Sequence, residues 1–295
     1  MKIARIALAC ILLLPLYNWA TTKDTINIVI KAKCQDTLLS NRDKLHAVSQ
    51  FLKQYYANDS IQHAEAYHQL AKCFKNHNDL PLAIETVKKA IYIGHRFKDS
   101  HPSILEKNYI SLGYYFKKNN NLTKSITTYE ELLNINPSSL YLGKANRSLA
   151  FIYKELGDFK KALDYFEQAL LAFKATGNQK YIFRAHSDLS YLYTKMGYKE
   201  HSRSILYHIA KCDSLTDMFG DGIMSKTSNL ILTLRRGNTF FVLKEYDKAQ
   251  VFSEKGLILA KKLKRNDAIC NIYVTLGNIA REQQKFKIAY NYFTE

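Results

Sequence analysis

Leu149-Ala150-Phe151-Ile152-Tyr153-Lys154-Glu155-Leu156-Gly157-Asp158-Phe159-Lys160-Lys161-Ala162-Leu163-Asp164-Tyr165-Phe166-Glu167-Gln168-Ala169 is the stretch that decides the fold. Ala150 and Tyr153 are three apart, Ala162 and Phe166 four, Phe166 and Ala169 three. Such offsets put apolar residues on one stripe of a helix. Gly157-Asp158 interrupts the two stripes, as a tight turn requires. The unit is a helix, a turn and a second helix. Where the two cross, a small side chain lets the backbones approach, and the aromatics fill the space beside it.

The pattern recurs. The small residue that follows the leucine falls at Ala71, Gly113, Ala150, Ser190, Gly237 and Gly277, at intervals of 42, 37, 40, 47 and 40. Three residues on come Phe74, Phe116, Tyr153, Tyr193, Phe240 and Ala280. Twelve residues after each anchor come Ala83, Ser125, Ala162, Ser202, Ala249 and Ala289, and four beyond those Val87, Tyr129, Phe166, Leu206, Ser253 and Phe293. Asn76-His77-Asn78-Asp79, Asn119-Asn120-Asn121 and Gly197 supply further turns. A repeat of this kind stacks each unit on its neighbours, so 295 residues form one elongated array rather than two compact domains. Apolar residues at 47% suffice for a continuous core, and the four prolines avoid the interior of every first helix.

These residues resemble the tetratricopeptide repeat (TPR) family over roughly 61–295. The spacing near 40 is similar to its long-helix branch, that of kinesin light chains and Rap-type peptide receptors, and His101-Pro102 is reminiscent of the kinesin-light-chain type. Pro137 stands where the family often ends a second helix. Repeats four and five depart from the pattern at Ser202, Arg236 and Ser253. The resemblance implies an all-α fold, a TPR-type α-solenoid wound as a right-handed superhelix, with six repeats of which the last is incomplete.

Flanking segments read differently. In residues 1–20, Lys2 and Arg5 precede an apolar run from Ile6 to Tyr17, followed by Asn18-Trp19-Ala20. That is the layout of a secretory signal peptide, too short to span a bilayer; an uncleaved anchor and a buried first helix are the alternatives. The expected location is extracytoplasmic, periplasmic or secreted, with membrane tethering in a longer form left open. Residues 21–60 form a capping segment, with a helix from Asn41 to Ala57; Ile26-Asn27-Ile28-Val29-Ile30 is strand-like but too short to build on. Lys285 to Phe293 copies Asp158 to Phe166, yet no polar capping helix follows it. We therefore expect a fragment or a truncated gene product, and the alternative to a free-standing scaffold is a sensory or scaffolding segment of a larger membrane signalling protein or peptidase whose effector domain lies beyond Glu295.

Net charge is +17, which attracts anionic partners over a range set by salt. A signal peptide argues against nucleic acid. Lys261, Lys262, Lys264 and Arg265 fit a solvated helix C-terminus. Cys34, Cys73, Cys212 and Cys270 form no close pair, which gives no support to a zinc knuckle or Cys-x-x-Cys, and Cys73 reads as a small core residue. Neither a catalytic motif nor a phosphate-cradling loop occurs, so no enzyme activity, metal or cofactor is expected. Asp217 to Gly222 reads as the loop that stretches one interval to 47, with too few oxygens for calcium. Asn58, Asn121 and Asn146 begin sequons that matter only if the source glycosylates secreted chains.

TPR arrays line their concave face with first-helix positions two, five, nine, twelve and thirteen, the small anchor being eight. The resemblance therefore implies an aromatic row of Tyr114, Phe151 and Tyr191 flanked by Lys107, Lys144 and Arg184 on one side and Lys117 and Lys154 on the other. Aromatics beside cations suit an acidic partner, and Asn238, Asn271 and Asn278 could hold an extended backbone. Solvation and packing are the alternative roles for all eleven. The chaperone-type carboxylate clamp is not matched, because Lys107 is followed by Ser111 and Lys144 by Ser148. The expected activity is binding of a protein or peptide.

Overall fold

A computed structural model describes residues 23–56, 60–220, 222 and 224–295. The expected signal peptide and the Asn58 sequon lie outside the described residues. Within them are fourteen α-helices and no strand: α1 (Lys23–Gln35), α2 (Asn41–Tyr55), α3 (Ile61–Asn76), α4 (Leu80–Gly94), α5 (Pro102–Lys118), α6 (Leu122–Asn134), α7 (Ser139–Glu155), α8 (Phe159–Ala175), α9 (Gln179–Met196), α10 (Ser202–Phe219), α11 (Lys226–Val242), α12 (Tyr246–Lys262), α13 (Asn266–Glu282) and α14 (Phe286–Thr294). None is long and apolar enough to cross a membrane. The fold is the all-α, TPR-type α-solenoid expected from the sequence. Contacts divide it within α7, after Ala145, into two units.

In both units the pairing rests on small crossing residues. A Cβ built on Gly113 would lie 2.5 Å from the Tyr129 ring, and one on Gly277 would lie 2.4 Å from the Phe293 ring. Ser125 Oγ donates to the Gly113 carbonyl at 2.7 Å, so a hydroxyl replaces alanine at this crossing with its bond satisfied. Ala150, Ala162 and Phe166 are sealed from solvent. The departures of repeat five also find their reason. Buried Ser253 faces Gly237, Phe252 stacks on Phe240 with centroids 5.6 Å apart, and Arg236 lies over Phe252 while its guanidinium pairs with Asp213.

Turns within five of the pairs share one geometry, and the α9–α10 turn, which opens at Gly197 with φ 138°, does not. Asp79, Asn121, Asp158, Glu245 and Lys285 each donate the backbone N–H to a carbonyl five residues earlier, at 2.9 Å. The preceding residue has positive φ in every case: Asn78 60°, Asn120 55°, Gly157 81°, Lys244 62° and Gln284 60°. The carboxylates of Asp79 and Asp158 and the amide oxygen of Asn121 then cap the next helix by accepting from backbone N–H groups three residues on.

Three readings change in or at the edge of unit one. Ile26 to Ile30 is helical, part of α1, and Ile26 and Ile30 are buried one turn apart. Cys73 is no simple core residue: its sulfur is bonded to that of Cys34, tying α1 to α3 with Cα atoms 6.1 Å apart. The Asn146 sequon, just past the division, is closed to a glycan because Asn146 is 2% exposed inside α7, whereas Asn121 caps α6. In unit two, Asp217, Met218 and Phe219 belong to α10, and the chain leaves the helix only at Gly220, φ 77°.

Candidate functional site

Two places collect charge, one in each unit. In unit one, α3, α5 and α7 border an open cavity of about 340 Å³ lined by Lys72, Lys75, Lys107, Lys144 and His68, with Tyr114, Tyr115 and Tyr141. Lys107 Nζ stands 3.5 Å from the carboxylate of Glu65, and Lys144 Nζ 4.6 Å from the centroid of the Tyr141 ring. The cavity lining itself contains no acidic residue. His68 adds no charge at neutral pH. Its Nδ1 lies 2.7 Å from Asn108 Oδ1, and burial pushes its pKa down to about 4. Tyr115 is held as a phenol, its pKa pushed up by burial to about 12. The cavity wall is therefore cationic and aromatic, suited to an anion with apolar flanks.

In unit two the first helices α7, α9 and α11 carry a ladder of cations on rings. Arg147 lies 4.9 Å and Lys154 5.5 Å over Phe151, and Lys154 also reaches Tyr191 at 4.9 Å. Arg235 and Lys195 lie over the same Tyr191 ring at 5.4 Å and 5.7 Å. Phe151 is set edge-on to Phe166, centroids 5.1 Å apart, so the crossing of α7 and α8 fixes its orientation. Arg147 donates from Nε and Nη2 to the two carboxylate oxygens of Asp188. That fork is the strong form of a charge-assisted bond. Burial pushes the Asp188 carboxyl pKa up, against the pull of Arg147. Arg235 is 7% exposed, and one of its terminal nitrogens donates to the Ser187 carbonyl at 3.0 Å and to Ser190 Oγ.

The eleven sequence candidates divide between these places. Lys107, Tyr114 and Lys144 line the cavity of unit one, while Lys117 is half-buried on α5 outside its lining. Phe151, Lys154 and Tyr191 form the ladder of unit two, and Arg184 is exposed, 5.7 Å over Tyr181. Asn238 and Asn278 are half-buried on α11 and α13, and Asn271 is exposed. Tyr141, Arg147, Asp188 and Arg235 were not among the candidates. Arg147 occupies position five of its first helix, and reading that column would have found it. Asp188 and Arg235 stand outside the five positions.

Residues 106–139 and 147–175 each match the family model described as tetratricopeptide repeat. No curated protein matches the chain. Among solved structures, BtubC (BKLC) from P. vanneervenii is similar at a TM-score of 0.65 and 15% identity, over 83% of this chain and 94% of that one. The apo form of the quorum sensor NprR from B. thuringiensis has a TM-score of 0.60 and 16% identity, over 92% of this chain and 69% of that one. A Rap protein complexed with Competence and Sporulation Factor has a TM-score of 0.54 and 15% identity, over 90% of this chain and 73% of that one. These likenesses agree on the repeat fold.

Proposed function

We propose that this chain is an exported repeat scaffold that binds a protein or peptide of acidic character, held in extended form along its first helices. The observation that carries the reading is the cavity of unit one, where four lysines and three tyrosines converge without an acidic residue in the lining. A net charge of +17 would draw an acidic chain toward it. The cationic ladder of unit two has the same chemistry. Asn238 and Asn278, on successive first helices, have side-chain amides with no protein partner among the described residues, and each can donate to and accept from an extended backbone. Two of the similar structures support the direction: one is named a quorum sensor, and the other holds Competence and Sporulation Factor. The Cys34–Cys73 disulfide fits an oxidising compartment and so supports export, as does the signal-like start. Binding, not catalysis, is the activity we assign.

The test is capture of partners from the extracytoplasmic fraction of the source across a salt series. The unaltered chain should retain an acidic partner that is lost steeply as salt rises. Lys107→Glu with Lys144→Glu should weaken retention while helix content stays unchanged. Undiminished capture by that double variant at low salt would remove the groove.

A further inference from the structure

We propose that Arg235, Tyr191 and Asn238 of unit two form a subsite for a single carboxylate of the bound chain. Arg235 is 7% exposed, yet among the described residues no carboxylate lies within ion-pairing distance of its guanidinium. The charge of Asp188 acts on it from beyond that distance, and both Asp188 oxygens are already engaged by Arg147. A buried charge that lacks a directly bonded partner is costly. Burial already lowers the affinity of Arg235 for its proton, the direction expected of a cation held out of water.

Geometry shows where the missing anion fits. One terminal nitrogen of Arg235 is spent on the Ser187 carbonyl and Ser190 Oγ, which anchors the group from behind. Nε and the other terminal nitrogen have no acceptor among the described residues, and neither is among the sealed polar atoms without a partner, which are Thr86 Oγ1 and Asn146 Oδ1. These N–H groups therefore reach solvent as a fork, the arrangement that takes a carboxylate on two bonds. The Tyr191 ring lies beneath, and Lys154 and Lys195 lie over the same ring, adding positive potential. Asn238 follows Arg235 by three residues on α11, on the same helix face, with its amide available to the backbone of the residue that brings the carboxylate. Arg147, Lys154, Arg184, Lys195 and Arg235 act around Tyr191 and the one carboxylate of Asp188. One more negative charge would bring this cluster closer to neutrality.

This proposal rests on the peptide-binding reading but concerns the other unit, so the two fail separately. The whole chain is titrated with three capped probes: N-acetyl-triglutamate amide, with carboxylates on side chains alone; N-acetyl-trialanine with a free C-terminus; and N-acetyl-triglutamine amide as the uncharged control. Nitrogen NMR of the arginine Nε–H groups and the melting temperature are followed together. One carboxylate probe should shift the Arg235 Nε–H signal saturably and raise the melting temperature, and which one does so tells a side-chain carboxylate from a chain end. Arg235→Met should weaken that response about tenfold or more and Arg235→Lys by less, since loss of a charge-assisted bond is worth that much. Without probe, Arg235→Met should melt no lower than the unaltered chain, because a buried charge held for a ligand costs stability. A purely structural Arg235 gives the opposite result, a lower melting temperature in Arg235→Met with probe response unchanged. Lys107→Glu with Lys144→Glu should leave the Arg235 signal responsive. Absence of a saturable shift with either carboxylate, an equal shift with the triglutamine control, or loss of the response in the lysine variant in place of Arg235→Met would each overturn the subsite.

Discussion

His186 Nδ1 lies 2.8 Å from His208 Nδ1 in the core between α9 and α10, so one neutral ring donates to the other. Both residues are buried, and Tyr193 stacks on His208 with centroids 5.8 Å apart. Burial pushes both pKa values down to about 4; Lys174 and Lys211 act in the same direction on His186, and Lys174 on His208. The unfolded chain binds protons near 6.5, well before the folded one does. Stability from this pair is therefore complete above about pH 6.5 and is lost as pH falls toward about pH 4. His68, also pushed down to about 4, adds in the same sense. Melting temperature should drop by several degrees between about pH 7.5 and about pH 5. His186→Phe with His208→Leu should flatten that slope; a wild-type curve independent of pH over this range would contradict the assignment.

Gly113→Ala tests the crossing of α5 and α6. Its Cβ would stand 2.5 Å from the Tyr129 ring, so overpacking should lower stability by about 1–3 kcal/mol. Gly237→Ala is the matched control, since its nearest neighbour is Ser253 Oγ at 3.3 Å. There the helix-propensity gain of up to about 1 kcal/mol offsets a small adjustment. Equal destabilisation in denaturant titrations of the two variants would contradict the crossing geometry.

Reduction should act locally on unit one. The Cys34–Cys73 bond closes a separation of 39 residues, and its loss should cost about 2–4 kcal/mol and free α1. Hydrogen exchange with and without reductant reads this directly: α1 amides should lose protection first. In the folded, oxidised chain an alkylating reagent should label exposed Cys270 and spare Cys212, which is buried with its thiol pKa pushed up to about 12.

Asp188→Asn should split stability from binding. Removing the carboxylate leaves Arg147 with a neutral partner, at a cost of about 1–3 kcal/mol. It also raises the positive charge around Tyr191, so the variant should melt lower yet bind more tightly the carboxylate probe that shifts Arg235. A simultaneous loss of both properties would show that Asp188 orders the ladder in place of tempering its charge.

Much of the fold was legible in the chain because helix pairing has a short-range code. Leu149, Ala150, Tyr153, Ala162 and Phe166 declare both helices and their crossing, and Asn78, Asn120 and Gly157 declare turns through residue types that accept positive φ. Lys244, Lys264 and Gln284 adopt the same φ without that signature, since the backbone bonds of the turn outweigh the steric cost. Helix α1 was missed because Ile26, Ile28 and Ile30 satisfy a period of two as well as a helical turn, and only contact with α3 selects the helix.

The candidate site was legible in part, for a reason of the same kind. Lys107, Tyr114 and Lys144 recur at anchor-relative positions, so the sequence could nominate them. Arg147, Asp188 and Arg235 follow one another at 41 and 47 residues, and the second interval includes the long passage from α10 to α11.

The sequence by itself determined paired helices with small residues at their crossings and a strong positive charge, because each follows from residues within one or two helical turns of each other or from composition. Tertiary structure alone decided that Cys34 meets Cys73, that Asp188 belongs to Arg147, and that Arg235 is buried with no carboxylate within ion-pairing distance among the described residues. Those outcomes depend on the register in which separate helices stack. That register is set by the summed packing of whole faces, which no local pattern of residues records.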